Sequence, residues 1–404
     1  MIIRRFGIYA VCAAFACSFF SCGEDDDPSN SGSDPVVGDA ARTMLVYAVN
    51  HSNLGYDFKS DSKEMLAAMS KVDSDKYRLL VYRTDSEKEC SLCEARRQSD
   101  GSFAFITLKK YPRDVTSTDP ERIKKVIDDA LSLYPAARHD LMFWGHGMSW
   151  VPSFTNHDPG QTVSEGKGRN AVMHSYGGEY GEGGKTKWTE IHDLAAAVPD
   201  HRFETIWFDC CYMSGIETIY EFRNKCATFV AYPTEVWQYG LPYDKVLPWL
   251  MQETPDVTEG CRTLYNYYMN MPSAEQRVTV TQLDMSSIER LAEATAAIYT
   301  STRGYWPDGK DMVNYSRNYK YPFYDFRQTV RLKAALQQLD AELERFEKAY
   351  EDAVVYHAAS PKNFADVKWN LDDVSGISTH IPTGKNTPEE EFYCTLSWTK
   401  RVSK

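Results

Sequence analysis

The chain has 404 residues, with 45 Lys and Arg set against 57 Asp and Glu for a formal net charge of −12. That balance excludes nucleic-acid binding through a basic surface and suits cationic substrates. The length leaves room, after an N-terminal leader, for one large domain or two intimate ones with a substantial core.

Arg4 and Arg5 precede an apolar run from Phe6 to Phe20, and Phe19-Phe-Ser-Cys22 closes it with a small residue before a cysteine. The run is too short for a comfortable membrane span, so residues 1–21 read as a signal sequence. Its end resembles a bacterial lipoprotein cleavage box. Cutting before Cys22 leaves a lipidated amino terminus, whose diacylglyceryl group supplies the two chains that lasting attachment needs. An uncleaved membrane helix or a plain secretory signal are the alternatives. Residues 22–41 read as a tether, because Glu24-Asp-Asp-Asp27 and Pro28-Ser-Asn-Ser-Gly-Ser-Asp-Pro35 bring charge and turn formers with almost nothing to bury. Acidic residues directly after Cys22 resemble the export signal of surface lipoproteins in Bacteroidetes-type bacteria, an acidic solvated linker being the simpler account. The expected location is the outer membrane, with residues 42–404 as the exported domain.

Thr43 to Val49 reads as a first strand, Ser60 to Lys71 as a helix and Arg78 to Arg83 as a second strand. Cys90-Ser-Leu-Cys93 follows in a polar, hairpin-like region. No second CxxC or nearby HxxxH completes a zinc site, and the flanking Glu89, Glu94 and Arg96 do not suit a redox motif at a helix start, so a local disulfide or two surface thiols are expected. Seven cysteines follow Cys22, so at least one is free or paired between chains. Asp119 to Ser132 reads as a helix leading into a buried strand, Asp140-Leu-Met-Phe-Trp144, which ends in Gly145-His146-Gly147, where two glycines permit a sharp turn and close approach of a substrate. The stretch Asp158 to Lys187 is rich in glycine and charge and reads as an accessible loop.

Thr205 to Asn224 reads as a buried strand, a cysteine turn and a helix with apolar spacing at Ile216, Ile219, Tyr220 and Phe222. Ser214 and Glu217 fit a capping box, which directs the positive helix end at the cysteines and favours a thiolate. Strand period places Asp209 and Cys211 on one face and Cys210 on the other, so Cys211 is the presented thiol and Cys210 a buried filler. Asp209 does not activate a thiol, since a negative neighbour raises its pKa; it suits a ligand's cation. His146 and Cys211 both lie just past carboxyl ends of strands, the edge where open α/β sheets bind ligands. Taken singly they read as a turn histidine and a core cysteine; together they point to a thiol nucleophile and its base. Thr228 to Tyr232 and Val278 to Leu283 read as further strands, Ser286 to Ser301 as a helix, and Leu332 to Val355 as one helical stripe through Leu336, Leu339, Leu343, Phe346 and Tyr350. This alternation predicts an α/β fold with a mostly parallel sheet covered by helices on both faces. There is no GxGxxG before a helix, no phosphate loop and no HExxH, which removes the easy cofactor enzymes.

Met44-Leu-Val-Tyr-Ala-Val-Asn50 with Asn53-Leu54, Phe143-Trp-Gly-His-Gly147 and Phe208-Asp-Cys-Cys-Tyr-Met213 resemble the clostripain-type cysteine peptidases, family C11 of the caspase-like clan. Trp188-Thr-Glu-Ile-His-Asp-Leu194, Tyr239-Gly-Leu-Pro-Tyr243 and Gly376-Ile-Ser-Thr-His-Ile-Pro382 add weaker support. The resemblance implies a caspase-like fold with C-terminal helical and strand additions, Gly376 to Trp398 forming two closing strands. It implies an endopeptidase whose catalytic dyad is His146 and Cys211, with backbone N–H groups near Gly147 and Cys211 as the oxyanion hole. Asp209 matches the aspartate that binds a basic P1 residue, and Glu235 in the following loop is a second candidate acidic contact, an ordinary aromatic-rich loop being the alternative. Cys210 stands where the family has a small residue such as alanine, which leaves the choice between the two thiols to experiment. Family members mature by cleavage at a basic residue between the catalytic positions, which here implies self-cleavage after Lys167 or Arg169; an accessible loop without regulatory purpose is the alternative. Calcium is the implied aid to activity or stability, with no EF-hand pattern to place it and its ligands unknown. The expected partners are peptides or proteins with basic residues and, through Cys22, a membrane. The rival reading is a non-catalytic surface lipoprotein that binds peptides or glycans on the same fold.

Overall fold

The computed structural model describes residues 40–155, 174–316, 321–362, 364 and 368–403. The leader, the tether, Cys22, Lys167 and Arg169 lie outside the described residues. Among the described residues no helix is long and apolar enough to cross a membrane.

The first half alternates as the apolar runs predict, with β1 (Ala40–Ala48), α1 (Gly55–Met69), β2 (Tyr77–Thr84), the hairpin β3 (Glu89–Arg97) and β4 (Phe103–Pro112), α2 (Pro120–Leu133) and β5 (Ala136–Trp144). Helix α2 starts where its sequence says it should: Asp119 accepts from the N–H groups of Glu121 and Arg122, and Pro120 fills a first-turn position that needs no donor. Next come the short strands β6 (His146–Gly147), β7 (Tyr176–Tyr180) and β8 (Thr186–Thr189), then α3 (Ile191–Ala197), β9 (Phe203–Asp209), α4 (Ile216–Glu221) and β10 (Cys226–Ala231). The remainder comprises α5 (Tyr243–Leu250), α6 (Val257–Met269), β11 (Thr279–Asp284), α7 (Ile288–Ser301), β12 (Tyr324–Asp325), α8 (Phe326–Leu336), α9 (Asp340–Ala353), β13 (Val354–Ala359), β14 (Ser378–Thr379), α10 (Pro388–Tyr393) and α11 (Ser397–Val402).

Nine strands form the main sheet in the order β13-β11-β10-β9-β5-β1-β2-β3-β4. The central run from β10 to β2 is parallel, and the outer strands on both sides are antiparallel. Strand period sorts the side chains into two cores. Tyr47, Tyr82, Phe143 and Phe208 pack on one face among α2, α3, α4 and the C-terminal helices. Val46, Val81, Trp144 and Trp207 pack on the other, against α1, α5 and α6. Both faces are thus buried, the condition under which a parallel sheet is stable. A buried ion pair between Arg42 and Asp140 (2.5 Å), with Asp140 also accepting from the Thr205 N–H (3.0 Å), ties β1, β5 and β9 together at the opposite end from the candidate site.

Four sequence expectations are corrected. The Asp158 to Lys187 stretch is not all loop: its described part forms β7 and the start of β8, which pair with β6 in a separate three-stranded sheet. Its glycines serve that sheet, since Gly177 and Gly178 adopt φ of 113° and 80°. Cys90 and Cys93 are neither surface thiols nor a disulfide but free and buried in β3, where a three-residue separation cannot bring two strand side chains face to face. Leu332 to Val355 is two helices, broken at Gln338, whose φ of 55° no helix tolerates, and ending where Val354 enters β13. Gly376 to Trp398 contributes only the two-residue β14; Pro388 then opens α10, with Thr387 accepting from the Glu390 N–H as its cap.

Replacing Arg42 by Met leaves Asp140 buried without its cation, so urea unfolding should show a loss of about 3–5 kcal/mol. A loss under about 1 kcal/mol would mean that the pair does not fasten the three strands.

Candidate active site

Parallel pairing of β5 with β9 sets Trp144 opposite Asp209, so both chains leave the sheet at one edge. The β5 chain turns at Gly145 (φ 147°) into β6, where His146 pairs with Gly177 and Gly147 with Tyr176. The β9 chain turns through Cys210, Cys211 and Tyr212, the last at φ 61°. This second turn is fastened from both sides. The Tyr212 N–H donates to Thr234 O (2.8 Å), the Ser214 N–H to Tyr232 O (3.0 Å), and the Ser214 hydroxyl to Gly376 O (2.8 Å). The two exits touch at Gly147, where a Cβ would come within 2.7 Å of Cys211 O and 2.8 Å of Met213 Sδ. Only glycine lets the histidine strand lie against the thiol turn.

His146 is half-buried, and its Nε2 lies 2.8 Å from Asn53 Oδ1. If Nε2 carries the proton it donates to Asn53, and Nδ1 is left as a free base. Burial alone pushes the imidazole down to about 4, so it is neutral at physiological pH. Asn53 is held over it by its own loop, in which the Asn50 side chain bridges Thr84 through both its amide N and O, and His51 O accepts from the Tyr180 N–H. From below, a Cβ on Gly178 would meet His146 Cδ2 at 2.9 Å and the Trp188 ring at 3.0 Å.

Strand β9 ends at Asp209, so the alternation does not reach Cys211, which packs against the core that holds Cys210; the turn beyond the strand leaves Cys211 the more exposed of the two thiols. Cys210 is buried with Sγ 3.4 Å from Phe143 O, and burial first, then Asp209 and Cys211, push its thiol well above the usual range. Cys211 is half-buried, and its Sγ accepts from the Val236 N–H at 3.3 Å. The capping-box expectation fails. Helix α4 begins after Gly215 with no side-chain cap. Glu217 turns away to accept from the Thr379 hydroxyl, the His380 N–H and the Tyr393 hydroxyl, fastening the C-terminal segment to α4. Tertiary partners therefore outcompete the local cap.

Asp209 is buried on the face away from Cys210. Its Oδ2 accepts from the Tyr243 hydroxyl (2.8 Å) and the Leu241 N–H (3.3 Å), while Oδ1 has no partner among the described residues. Burial outweighs those hydrogen bonds and lifts the carboxyl to about 6. Glu235 sits in the loop just before Val236, whose N–H meets the thiol, so that loop borders Cys211. A carboxylate brought towards Asp209 is Asp61 of α1. A Cβ on Gly240 would lie 3.3 Å from Asp61 Oδ2 and 3.4 Å from Asp209 Oδ2. Sequence reading overlooked Asp61 and the contact from Asn53. The signal for Asp61 was present: it occupies the buried face of α1 between Phe58 and Met65, where an acid is out of place. Among the described residues no group of three or more His, Cys, Asp or Glu side chains is arranged to hold a metal ion.

Alkylation at neutral pH should label Cys211 and the exposed Cys394 while Cys210 and the other buried thiols react only on unfolding; faster labelling at Cys210 would overturn Cys211 as the presented thiol. Gly178→Ala should displace the His146 ring and cut turnover at least about 10²-fold, as misplacement of a reacting group by an ångström does; near-normal turnover would mean that the ring has room to shift.

Residues 46–363 match the clostripain family. No curated protein matches the chain. Among solved structures, it is similar to a secreted C11 cysteine protease from Bacteroides thetaiotaomicron bound to an irreversible peptide inhibitor, at 24% identity and a TM-score of 0.74, covering 90% of this chain and 99% of that one. An inactive zymogen C11 protease from Parabacteroides distasonis is similar at 22% identity and a TM-score of 0.75, covering 91% and 99%. A further secreted C11 cysteine protease from Bacteroides thetaiotaomicron, "iotapain", matches at 18% identity and a TM-score of 0.72, covering 90% and 99%. These likenesses concern the fold, a caspase-like sheet covered by helices. With the family match spanning most of its length, the chain belongs to the clostripain family of cysteine peptidases.

Proposed function

We propose that the protein is an exported endopeptidase that cleaves after a basic residue, with Cys211 as nucleophile and His146 as its base. The observation that carries this reading is the contact at Gly147, which leaves no room for a Cβ between the histidine strand and the Cys211 backbone. The thiol passes its proton to His146 Nδ1, and Sγ bonds to the scissile carbonyl carbon. The C–N bond breaks as the imidazolium returns the proton to the leaving amine. Water, deprotonated by the same imidazole, then forms the new C–O bond and releases Sγ from the acyl carbon. Backbone N–H groups of Gly147 and Cys211 are the proposed oxyanion donors, each worth a few kcal/mol, of order 10²–10³ in rate. Asn53 holds the imidazole in the Nε2–H tautomer and is a positioning residue.

Asp209 is the proposed first-pocket anion. Its buried, unpartnered Oδ1 suits a Lys or Arg side chain, and an apolar side chain there would leave the carboxylate unsatisfied. Self-cleavage after Lys167 or Arg169 fits the same specificity, and one structural neighbour is described as an inactive zymogen. Two neighbours described as secreted agree with export, and the leader proposes attachment to the outer membrane through lipidated Cys22.

Hydrolysis of fluorogenic peptides with Arg, Lys, Asp or Leu at P1 tests this reading. Cleavage should follow Arg or Lys, vanish in Cys211→Ala and in His146→Ala, and survive in Cys210→Ala; loss only in Cys210→Ala would contradict the assignment. Asn53→Ala should lower kcat about 10-fold with KM unchanged, part of the roughly 10²–10⁴ that a positioned base supplies. An ammonium needs only Asp209 ionised, so kcat/KM on a peptide with Lys at P1 should rise with pH through about 6 and level off above it. A peptide with an uncharged P1 residue should lack that limb; an identical limb for both would remove Asp209 from the pocket.

A further inference from the structure

Helix α1 carries Asp57, Asp61 and Glu64, spaced to lie along one side of a helix. Asp61 is buried with its Oδ2 accepting from Trp144 Nε1 at 2.8 Å. Glu64 accepts from the Tyr243 N–H at 3.1 Å, three residues beyond Gly240. That turn is itself fixed, because the Tyr268 hydroxyl donates to Gly240 O at 2.7 Å. Gly240 adopts φ 59°, and its missing Cβ leaves the space that Asp61 and Asp209 border from two sides. Among the described residues no Lys or Arg forms an ion pair with Asp61, Glu64 or Asp209. Buried carboxylates facing each other without a cation are costly, and a structural role would be better filled by a neutral residue. The Asp209 carboxylate borders this space through Oδ2 and, among the described residues, its buried Oδ1 has no partner, the second sign that a cation completes the site.

We propose that Asp61 is a second specificity-determining carboxylate of the first pocket, and that with Asp209 it selects a guanidinium over an ammonium. The inference rests on the reading of Asp209 as the contact for a basic P1 residue. A guanidinium presents five N–H donors in a planar fork and can engage two carboxylates set on either side of it; an ammonium is a point donor that satisfies one acid and leaves the other unpaired. The Trp144 indole holds Asp61 in place, so its carboxylate is aimed before substrate arrives. Gly240 keeps the floor of the space clear.

The test is steady-state kinetics on matched peptidyl-Arg and peptidyl-Lys coumarin amides, with the wild type, Asp61→Asn and Gly240→Ala. The wild type should favour Arg over Lys by about tenfold or more in kcat/KM. Asp61→Asn keeps the shape and can still accept from Trp144. It should bring the ratio close to one, through KM for the Arg substrate, while iodoacetamide inactivates the thiol at the wild-type rate. Gly240→Ala, which sets a methyl between the two acids, should also hurt the Arg substrate more than the Lys one, so the proposal stays testable if Asp61→Asn does not fold. An unchanged Arg to Lys ratio in both variants, or an equal loss on both substrates, overturns the role of Asp61 while leaving Asp209 as the anion. Wild-type cleavage after neither Arg nor Lys overturns this inference and the reading on which it rests.

Discussion

The register of β5 against β9 is the constraint on which the rest of the site depends. Because Trp144 pairs with Asp209, the residues just beyond them leave the sheet side by side. A shift of one residue would turn Asp209 into the other core and bring Cys210 round in place of Cys211. The register is fixed from both cores at once, by Phe143 stacked on Phe208 on one face and by Trp144 and Trp207 on the other. The glycine at 147 and the tightly held turn at Tyr212 then convert strand pairing into contact between histidine strand and thiol turn.

The same edge is where the molecule gives up stability. Burial, and for Asp61 also its neighbour Asp209, raises Asp209 to about 6 and Asp61 to about 8. Folded pKa values above the unfolded ones mean that the native state holds these protons more tightly. The stabilisation they give is therefore complete below about pH 4 and is lost as the pH climbs through 6 for Asp209 and through 8 for Asp61. At neutral pH Asp61 keeps its proton and the buried Asp209 carboxylate is the uncompensated charge that a bound cation relieves, and any ligand that binds only the folded form stabilises it in return. A pocket built this way rejects apolar side chains by the acids it leaves unsatisfied.

What the sequence disclosed follows from the range of the interactions involved. The buried strands at Thr43, Asp140 and Thr205 were legible because burial on both faces writes long apolar runs, and the opposite placing of Asp209 and Cys210 follows strand period, whereas Cys211 lies in the turn beyond the strand and packs with the core of Cys210. The capping box at Ser214 and Glu217 misled because both side chains are taken by residues far away in the chain, Gly376 for one and Thr379, His380 and Tyr393 for the other. The glycines of 177–184 read as loop because their composition is that of a loop, whereas Gly177 and Gly178, at positive φ, lie in a strand of the small sheet under His146. Asn53 was not legible as a site residue, since it reaches His146 only through tertiary packing, and Asp61 was marked only by being an acid on the buried face of α1.

The most direct test of the central claim is covalent capture. A peptidyl-Arg chloromethyl ketone, followed by proteolysis and mass spectrometry, should leave one adduct on Cys211, at a rate sharply reduced in His146→Ala. An adduct on Cys210, or labelling of Cys211 that is indifferent to loss of His146, would contradict the pairing of nucleophile and base on which this account is built.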